Sequence, residues 1–440
     1  MRFDEAVNYL LSLGHETAAI KLGLDNIERL LAALGSPERA YPSVQLAGTN
    51  GKGSTAAMLD GICRAAGVRS GLYTSPHLVS ITERIRLAGR DITRPEFARL
   101  AVEVRAAATR LAEAQGALPT FFEQVTAIAL LAFREARVEL AILETGLGGR
   151  LDATTAARAS VVAITPVALD HQEYLGATLA EIAFEKAAII HAGAAAVVVA
   201  PQADEARAVI LARCRECQVT PRLVAPGDIG AMDSSGRLRV TFNTEADSYE
   251  NVRLSLRGRH QATNAAVAVA LAEVLRERGF PITRAHVVEG LETAAHAGRL
   301  ELIAGHPALL FDGAHNAAGA RALRDYLDEF AAAPLTLVFG AMRDKDLAEI
   351  AATLFPAADE LILTRPANPR AATLDTLLRL AVQPGVKRPP LLMESPADAL
   401  RAAESHTPPG GIVCVTGSLY LVGEIKGVIT QRGRELKREA

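Results

Sequence analysis

Strand-like and helix-like segments alternate along almost the whole chain, and this alternation limits the fold more than any other feature. Residues 41–47 (YPSVQLA), 139–144 (ELAILE), 160–164 (SVVAI) and 194–200 (AAAVVVA) read as buried strands. A strand that is apolar on both faces needs cover on both, and helical crossovers between parallel strands supply it. The pattern therefore predicts an α/β protein built on a parallel sheet flanked by helices. Residues 54–66 follow a glycine-rich loop and have helical spacing. Residues 226–251 break the rhythm and read as a small β-hairpin excursion with its turn at 234–236. After a helix expected over 261–278, residues 308–312, 335–339, 360–363 and 412–416 read as strands of a second, Rossmann-like α/β unit. The boundary is expected near residue 297, giving units 1–297 and 298–440.

A length of 440 residues suits two to three domains, and half the residues are apolar, which excludes a disordered or disulfide-stapled chain. Forty-seven Lys and Arg against 50 Asp and Glu leave a net charge of −3, so no nucleic-acid or membrane partner held by bulk charge is expected. Of the four cysteines only Cys214 and Cys217 are neighbours, and without a second CxxC they read as reduced thiols. The first residues, MRFDEAVNYLLSLG, lack a basic segment followed by an apolar block, and no run approaches the length of a membrane span. A cytoplasmic protein is expected.

The strongest local signal is Gly48-Thr49-Asn50-Gly51-Lys52-Gly53-Ser54-Thr55, set between a strand and a helix. Glycines let successive backbone N–H groups face phosphate oxygens, and the helix adds its positive N-terminal end. Lys52 supplies a mobile charge, although Gly53 separates it from the hydroxyl residues, unlike the usual GK[ST] spacing. An ordinary tight turn would not need the lysine. Glu144 ends a strand and leads into TGLGG, which puts a carboxylate at the sheet edge where α/β proteins bind ligands. Beside a phosphate loop its expected role is Mg²⁺ coordination, whereas alone it reads as a cap or surface group. Asp170 and His171 follow another strand at the same edge. Lys186, in the apolar segment FEKAAII, reads first as a snorkelling side chain.

Ten segments together resemble one family: AGTNGKGST, YTSPHLVSITERIRLAG, PTFFEQVTA, LETGLGGRLDAT, LDHQEYLGATLAEIAFEKAAI, GRHQATNAAVA, GRLELI, FDGAHN, MRDKD and TGSLYLVGE. In this order and over nearly the whole length, they are similar to the folylpolyglutamate synthase/dihydrofolate synthase enzymes of the Mur-ligase superfamily. The resemblance implies a P-loop ATPase domain carrying a pterin site, followed by a C-terminal domain on the amino-acid side. The loop begins at Gly48, leaving no room before it for the UDP-sugar domain of cell-wall members.

By this resemblance Asn50, Gly51, Lys52, Gly53 and Ser54 would hold ATP phosphates, and Ser75, Glu144 and His171 would bind magnesium, two ions being expected. Lys186 matches a lysine that is carbamylated in the family, which reverses the first reading: apolar surroundings favour the neutral amine that CO₂ must meet. Lys52, Lys186, His171 and Glu144 would form the catalytic set, with potassium a further candidate cofactor. Asn264, Arg299 and Asp312 match nucleotide-contacting positions, with His315 beside them. Pterin contacts would come from Lys21, Leu22, Gly23 and Leu24, from Thr120, Phe121, Phe122 and Glu123, and from Leu151, Asp152 and Ala153. Phe122 would stack on the ring and Asp152 accept its N–H groups. Glutamate-binding candidates are residues 344–346 and Ser418. The chain departs from the family at Thr155, Ala188 and His296-Ala297, where Asn, Gly and an aromatic are common.

The implied reaction is ATP-dependent: a substrate carboxylate takes the γ-phosphoryl group, and the amine of L-glutamate displaces phosphate from the acyl phosphate. With 7,8-dihydropteroate the product is dihydrofolate, and with reduced folates a polyglutamate. A synthase limited to folates, or a ligase acting on another acid, are alternatives, as is a nucleotide-driven switch. A monomer is expected.

Overall fold

The structure is a computed structural model that describes residues 1–14, 23–116, 118–331, 334–382 and 384–439. Its first sheet contains β1 (Ser43–Ala47), β2 (Ser70–Tyr73), β3 (Ile85–Leu87), β4 (Arg90–Asp91), β5 (Leu140–Glu144), β6 (Val161–Ile164), β7 (Ala196–Val199) and β8 (Pro221–Leu223). They lie in the order β4-β3-β2-β5-β1-β6-β7-β8. The central strands β1, β5 and β6 are buried along their whole length, as their apolar runs require. One face packs on the helices Lys52–Ala65 and His260–Glu277, the other on Arg94–Gln115 and Phe121–Glu135.

The sheet is not wholly parallel. Strands β3 and β4 run antiparallel at one edge, joined through Ala88 and Gly89, both at positive φ (47° and 80°). That two-residue turn matches the right-handed twist of its strands, and the short, exposed β4 closes the edge. The excursion is larger than a hairpin: β9 (Asp228–Met232), β10 (Leu238–Asn243) and β11 (Ser248–Arg253) form an antiparallel three-stranded sheet. Its third strand, SYENVR, buries only Tyr249 and Val252, so its composition hides it. The turn is held by Asp233 Oδ1, which accepts from the N–H groups of Ser235 and Arg237.

A further sheet comprises β12 (Glu301–Ile303), β13 (Ala308–Phe311), β14 (Leu335–Phe339), β15 (Glu360–Thr364), β16 (Leu391–Met393) and β17 (Ile412–Thr416). The order is β12-β13-β17-β14-β15-β16, with only β12 antiparallel to its neighbour. Helices Ala317–Phe330 and Leu347–Leu354 cover one face; Pro396–His406 and Leu419–Glu439 cover the other. The four cysteines among the described residues are buried free thiols. No described helix is long and apolar enough to cross a membrane.

Candidate active site

The phosphate-type loop leaves the carboxyl end of β1, and its glycines are dictated by close neighbours. A Cβ at Gly48 would fall 1.9 Å from Thr165 Oγ1, and one at Gly51, where φ is 89°, would fall 2.1 Å from Asn264 Oδ1. The first two loop amides are already used: Thr49 N–H and Asn50 N–H donate to the Pro166 carbonyl at 3.0 and 3.2 Å. Thr49 Oγ1 also donates to the Ala168 carbonyl and accepts from the Ala168 amide. The amides that point outward are therefore those of the first turn of Lys52–Ala65, which have no acceptor within their own helix.

Two lysines converge behind this loop. Lys52 Nζ donates to the carbonyls of Gly48 (3.1 Å) and Thr49 (3.3 Å), and Lys186 Nζ donates to the same Gly48 oxygen at 2.9 Å. Burial lowers the pKa of both. For Lys186, burial and the nearby charge of Lys52 bring it down to about 7, so its amine is largely neutral in mildly basic solution.

Glu144 ends β5 with its carboxylate buried; Oε2 accepts from the Ser75 N–H at 3.2 Å. Burial raises its pKa, against the pull of Lys52 and Arg299. His171 follows β6, and burial lowers its pKa to about 3, leaving a neutral ring. Its Nδ1 is buried without a hydrogen-bond partner. Ser75, Glu144 and His171 line one cavity of about 330 Å³ with the loop, Lys186, Asn264, Arg299, Asp312 and His315. No three His, Cys, Asp or Glu side chains among the described residues are grouped to hold a metal by themselves. A hard cation here would be shared by Glu144, the orphaned His171 nitrogen, the Ser75 hydroxyl and ligand oxygens, a donor set that suits Mg²⁺.

Asn264 stands on His260–Glu277, its Nδ2 donating to Gln261 Oε1. The Asp312 carboxylate accepts from the N–H groups of Leu300 and Ala314, both at 2.9 Å, so it fastens the connection that carries Arg299. His315 Nδ1 lies 2.7 Å from the Gly313 carbonyl.

A second cavity, about 260 Å³, adjoins the first and shares Ser75, Gly146, His171 and His315 with it. Gly23, Thr120, Phe122, Glu123, Leu151, Asp152 and Ala153 line it, whereas Phe121 and Leu24 do not. Thr120 caps the helix Phe121–Glu135, and successive helical residues point about 100° apart. Phe122 consequently faces the cavity, while Phe121 is buried (3% exposed) under the Arg84 guanidinium, 5.5 Å from its ring centre. Leu24 packs on the core of the first unit. Lys21 and Leu22 lie outside the described residues. The Glu123 carboxylate accepts from the Thr120 N–H as the return half of a capping box. Asp152 accepts from the N–H groups of Gly146, Leu147 and Thr154, and so shapes the loop after β5.

Across the cavity stand Met342, Lys345, Arg370, Ser418 and Tyr420. Of the amino-acid-side candidates, Lys345 and Ser418 are on the wall, Asp344 pairs with Arg370, and Asp346 caps Leu347–Leu354. Sequence reasoning passed over Asn316, Arg370 and His260. Asn316 closes the FDGAHN segment and His260 opens a helix beside Asn264, the local signals that could have marked them.

Residues 46–272 match the Mur ligase middle domain, and residues 298–419 match the Mur ligase glutamate ligase domain. A Haloferax volcanii protein described as a probable bifunctional folylpolyglutamate synthase/dihydropteroate synthase is 37% identical over 98% of this chain. The chain spans about half (51%) of that relative's length. A Bacillus subtilis dihydrofolate synthase/folylpolyglutamate synthase is 33% identical, with 92% of this chain and 95% of the relative aligned. The Escherichia coli FolC structure in complex with DHPP and ADP superimposes with a TM-score of 0.86 at 30% identity, covering 98% of each chain.

Proposed function

The chain belongs to the Mur ligase family, in its folylpolyglutamate synthase/dihydrofolate synthase branch, and from that premise we propose that it is an ATP-dependent, ADP-forming amide ligase. It adds L-glutamate to 7,8-dihydropteroate and to reduced folates. The observation that carries this reading is the junction of the two cavities at Ser75, His171 and His315. One cavity has the cations and helix amides that a triphosphate needs; the other is aromatic and apolar at one end and cationic at the other.

ATP is read as lying with its β- and γ-phosphates on Asn50, Gly51, Lys52, Gly53 and Ser54, with Asn264, Arg299 and His315 around the nucleotide. Glu144, His171 and Ser75 would hold Mg²⁺, which supplies charge neutralisation for phosphoryl transfer. Phe122, Leu151 and Gly23 enclose the flat ring, so that its carboxylate end reaches the junction. That carboxylate attacks the γ-phosphorus, ADP leaves, and an acyl phosphate results. Lys52 offsets the charge that develops on the transferring group. Glutamate enters from the side of Arg370 and Ser418; its neutral amine attacks the acyl carbon, and phosphate departs with the amide bond formed. Two enclosing walls keep water from the acyl phosphate. Lys186 suits carbamylation, because its buried amine is neutral near pH 8.

We place the unit boundary at residues 297 and 298, with pterin and nucleotide phosphates on the first unit and glutamate on the second. The protein acts as a cytoplasmic monomer in this reading. The test supplies ATP, Mg²⁺ and L-glutamate with either dihydropteroate or tetrahydrofolate and measures product mass. One glutamate added per ADP on both substrates is expected. Addition to tetrahydrofolate alone would remove the dihydropteroate activity, and addition to neither would overturn the assignment.

A further inference from the structure

Asp170 belongs to the loop after β6, yet its side-chain partners come from the other unit. Lys345 Nζ lies 2.5 Å from Oδ1, Asn316 Nδ2 donates to Oδ2 at 3.0 Å, and His315 Nε2 stands 3.5 Å from Oδ2. Within its own unit the carboxylate receives the His171 N–H at 2.8 Å, with the His171 ring at 3.9 Å. The Asp170 and Lys345 side chains are each 7% exposed, so this is a buried ion pair across the contact between units. Asn316 extends the cluster: Nδ2 also donates to Asn50 Oδ1 at 3.1 Å, while Oδ1 accepts from Gly319 N–H and caps Ala317–Phe330. One carboxylate thus touches the start of that helix, the end of β14's loop and, through Asn316, the phosphate loop.

The pair also stands between the cavities, Asp170 on the wall of the first and Lys345 on the wall of the second. Burial raises the Asp170 pKa, but the adjacent His315 ring and the Lys345 ammonium outweigh it, so the carboxylate stands as an anion. Separating the units would leave that anion with the His171 amide and no cation from the second unit.

We propose that Asp170 is a positioning residue for closure, its carboxylate gathering Lys345, Asn316 and His315 so that the two cavities are brought together. The role depends on the contact between units and not on which carboxylate is activated. Closing strength is concentrated in the Asp170–Lys345 pair, because removing either partner strands a buried charge or a buried acceptor.

Small-angle scattering of the full chain with Mg²⁺ and a non-hydrolysable ATP analogue reads closure directly. Asp170→Asn and Lys345→Met are each expected to give a larger radius of gyration than the wild type, with the double variant matching the singles. Lys345→Arg keeps the charge and is expected to close. In turnover, kcat should fall about 100-fold in either single variant while KM for ATP moves less than about threefold. A wild-type radius of gyration in either single variant, or a double variant that loses the product of the two single effects, would overturn the proposal. If Asp170→Asn does not fold, Lys345→Met tests the same contact from the other side. A wild type that adds no glutamate would sink the ligase reading and leave the scattering comparison intact.

Discussion

Replacing Lys186 by methionine should make the protein inactive and, below neutral pH, more stable. Lys186 is 4% exposed and its pKa is lowered from 10.5 to about 7, chiefly by burial and then by the charge of Lys52. Between those two values the unfolded chain binds a proton that the folded chain does not, so stability rises with pH across that interval. At 1.36 kcal/mol per unit, about 3.5 units amount to roughly 5 kcal/mol of destabilisation at and below pH 7. Methionine removes it, at the cost of about 1 kcal/mol for the lost hydrogen bond to the Gly48 carbonyl. The variant should therefore exceed the wild type by about 4 kcal/mol at pH 6 and fall about 1 kcal/mol below it near pH 10.5.

Urea unfolding of both proteins in CO₂-free buffers from pH 6 to 10.5 measures the difference, and the subtraction cancels titrations common to both. A difference independent of pH would refute the burial argument. Adding ¹³C-bicarbonate at pH 8 supplies a second reading. An ordinary lysine of pKa 10.5 is about 0.3% neutral there and one at 7 is about 90% neutral, roughly a 300-fold advantage for carbamate formation. A carbamate resonance present in the wild type and absent from Lys186→Met is expected.

Lys52→Ala should abolish turnover, by about 1,000-fold or more, with far-UV circular dichroism unchanged; turnover like the wild type in a folded variant would remove the phosphate-loop assignment. The same substitution should move the Lys186 titration upward, because the Lys52 charge is the second largest cause of its lowering; a ¹⁵N-lysine titration reads it. Phe122→Ala should raise KM for the pterin substrate about tenfold and leave KM for ATP unchanged, since its ring is on the wall of the second cavity only. Phe121→Ala should do the opposite, costing about 3–5 kcal/mol of stability with KM for the pterin substrate unmoved.

The adjacent phenylalanines mark where sequence reading stops. FF in PTFFEQ offers two equal aromatics, and only the phase set by the Thr120 cap turns one outward and the other into the core. The loop from Gly48 to Ser54 was legible because its causes are local: a strand before it, a helix after it, and glycines where Thr165 and Asn264 leave no room for a Cβ. Strands β1, β5, β6 and β7 were legible because burial on both faces makes their sequences apolar throughout. Strands β4 and β11 were not, since an edge strand and a half-buried one keep polar residues.

The acidic residues divide in the same way. Asp152 and Asp312, read as ligand-binding carboxylates, both line their cavities and both also accept backbone N–H groups that hold the cavity walls. A carboxylate that braces backbone amides and one that meets only a substrate have the same letter in a sequence. Asp170 is a third case, because its partners lie 145 to 175 positions further along the chain. Lys345 sits between two aspartates in MRDKD, where residues 344–346 read as glutamate-binding candidates. The ion pair is added to that reading where the loop after β14 meets the loop after β6, which places one buried ammonium 2.5 Å from one buried carboxylate. Neither group would be buried without the other. The pair therefore depends on the docking of the two sheets, and local pattern has no means of revealing it.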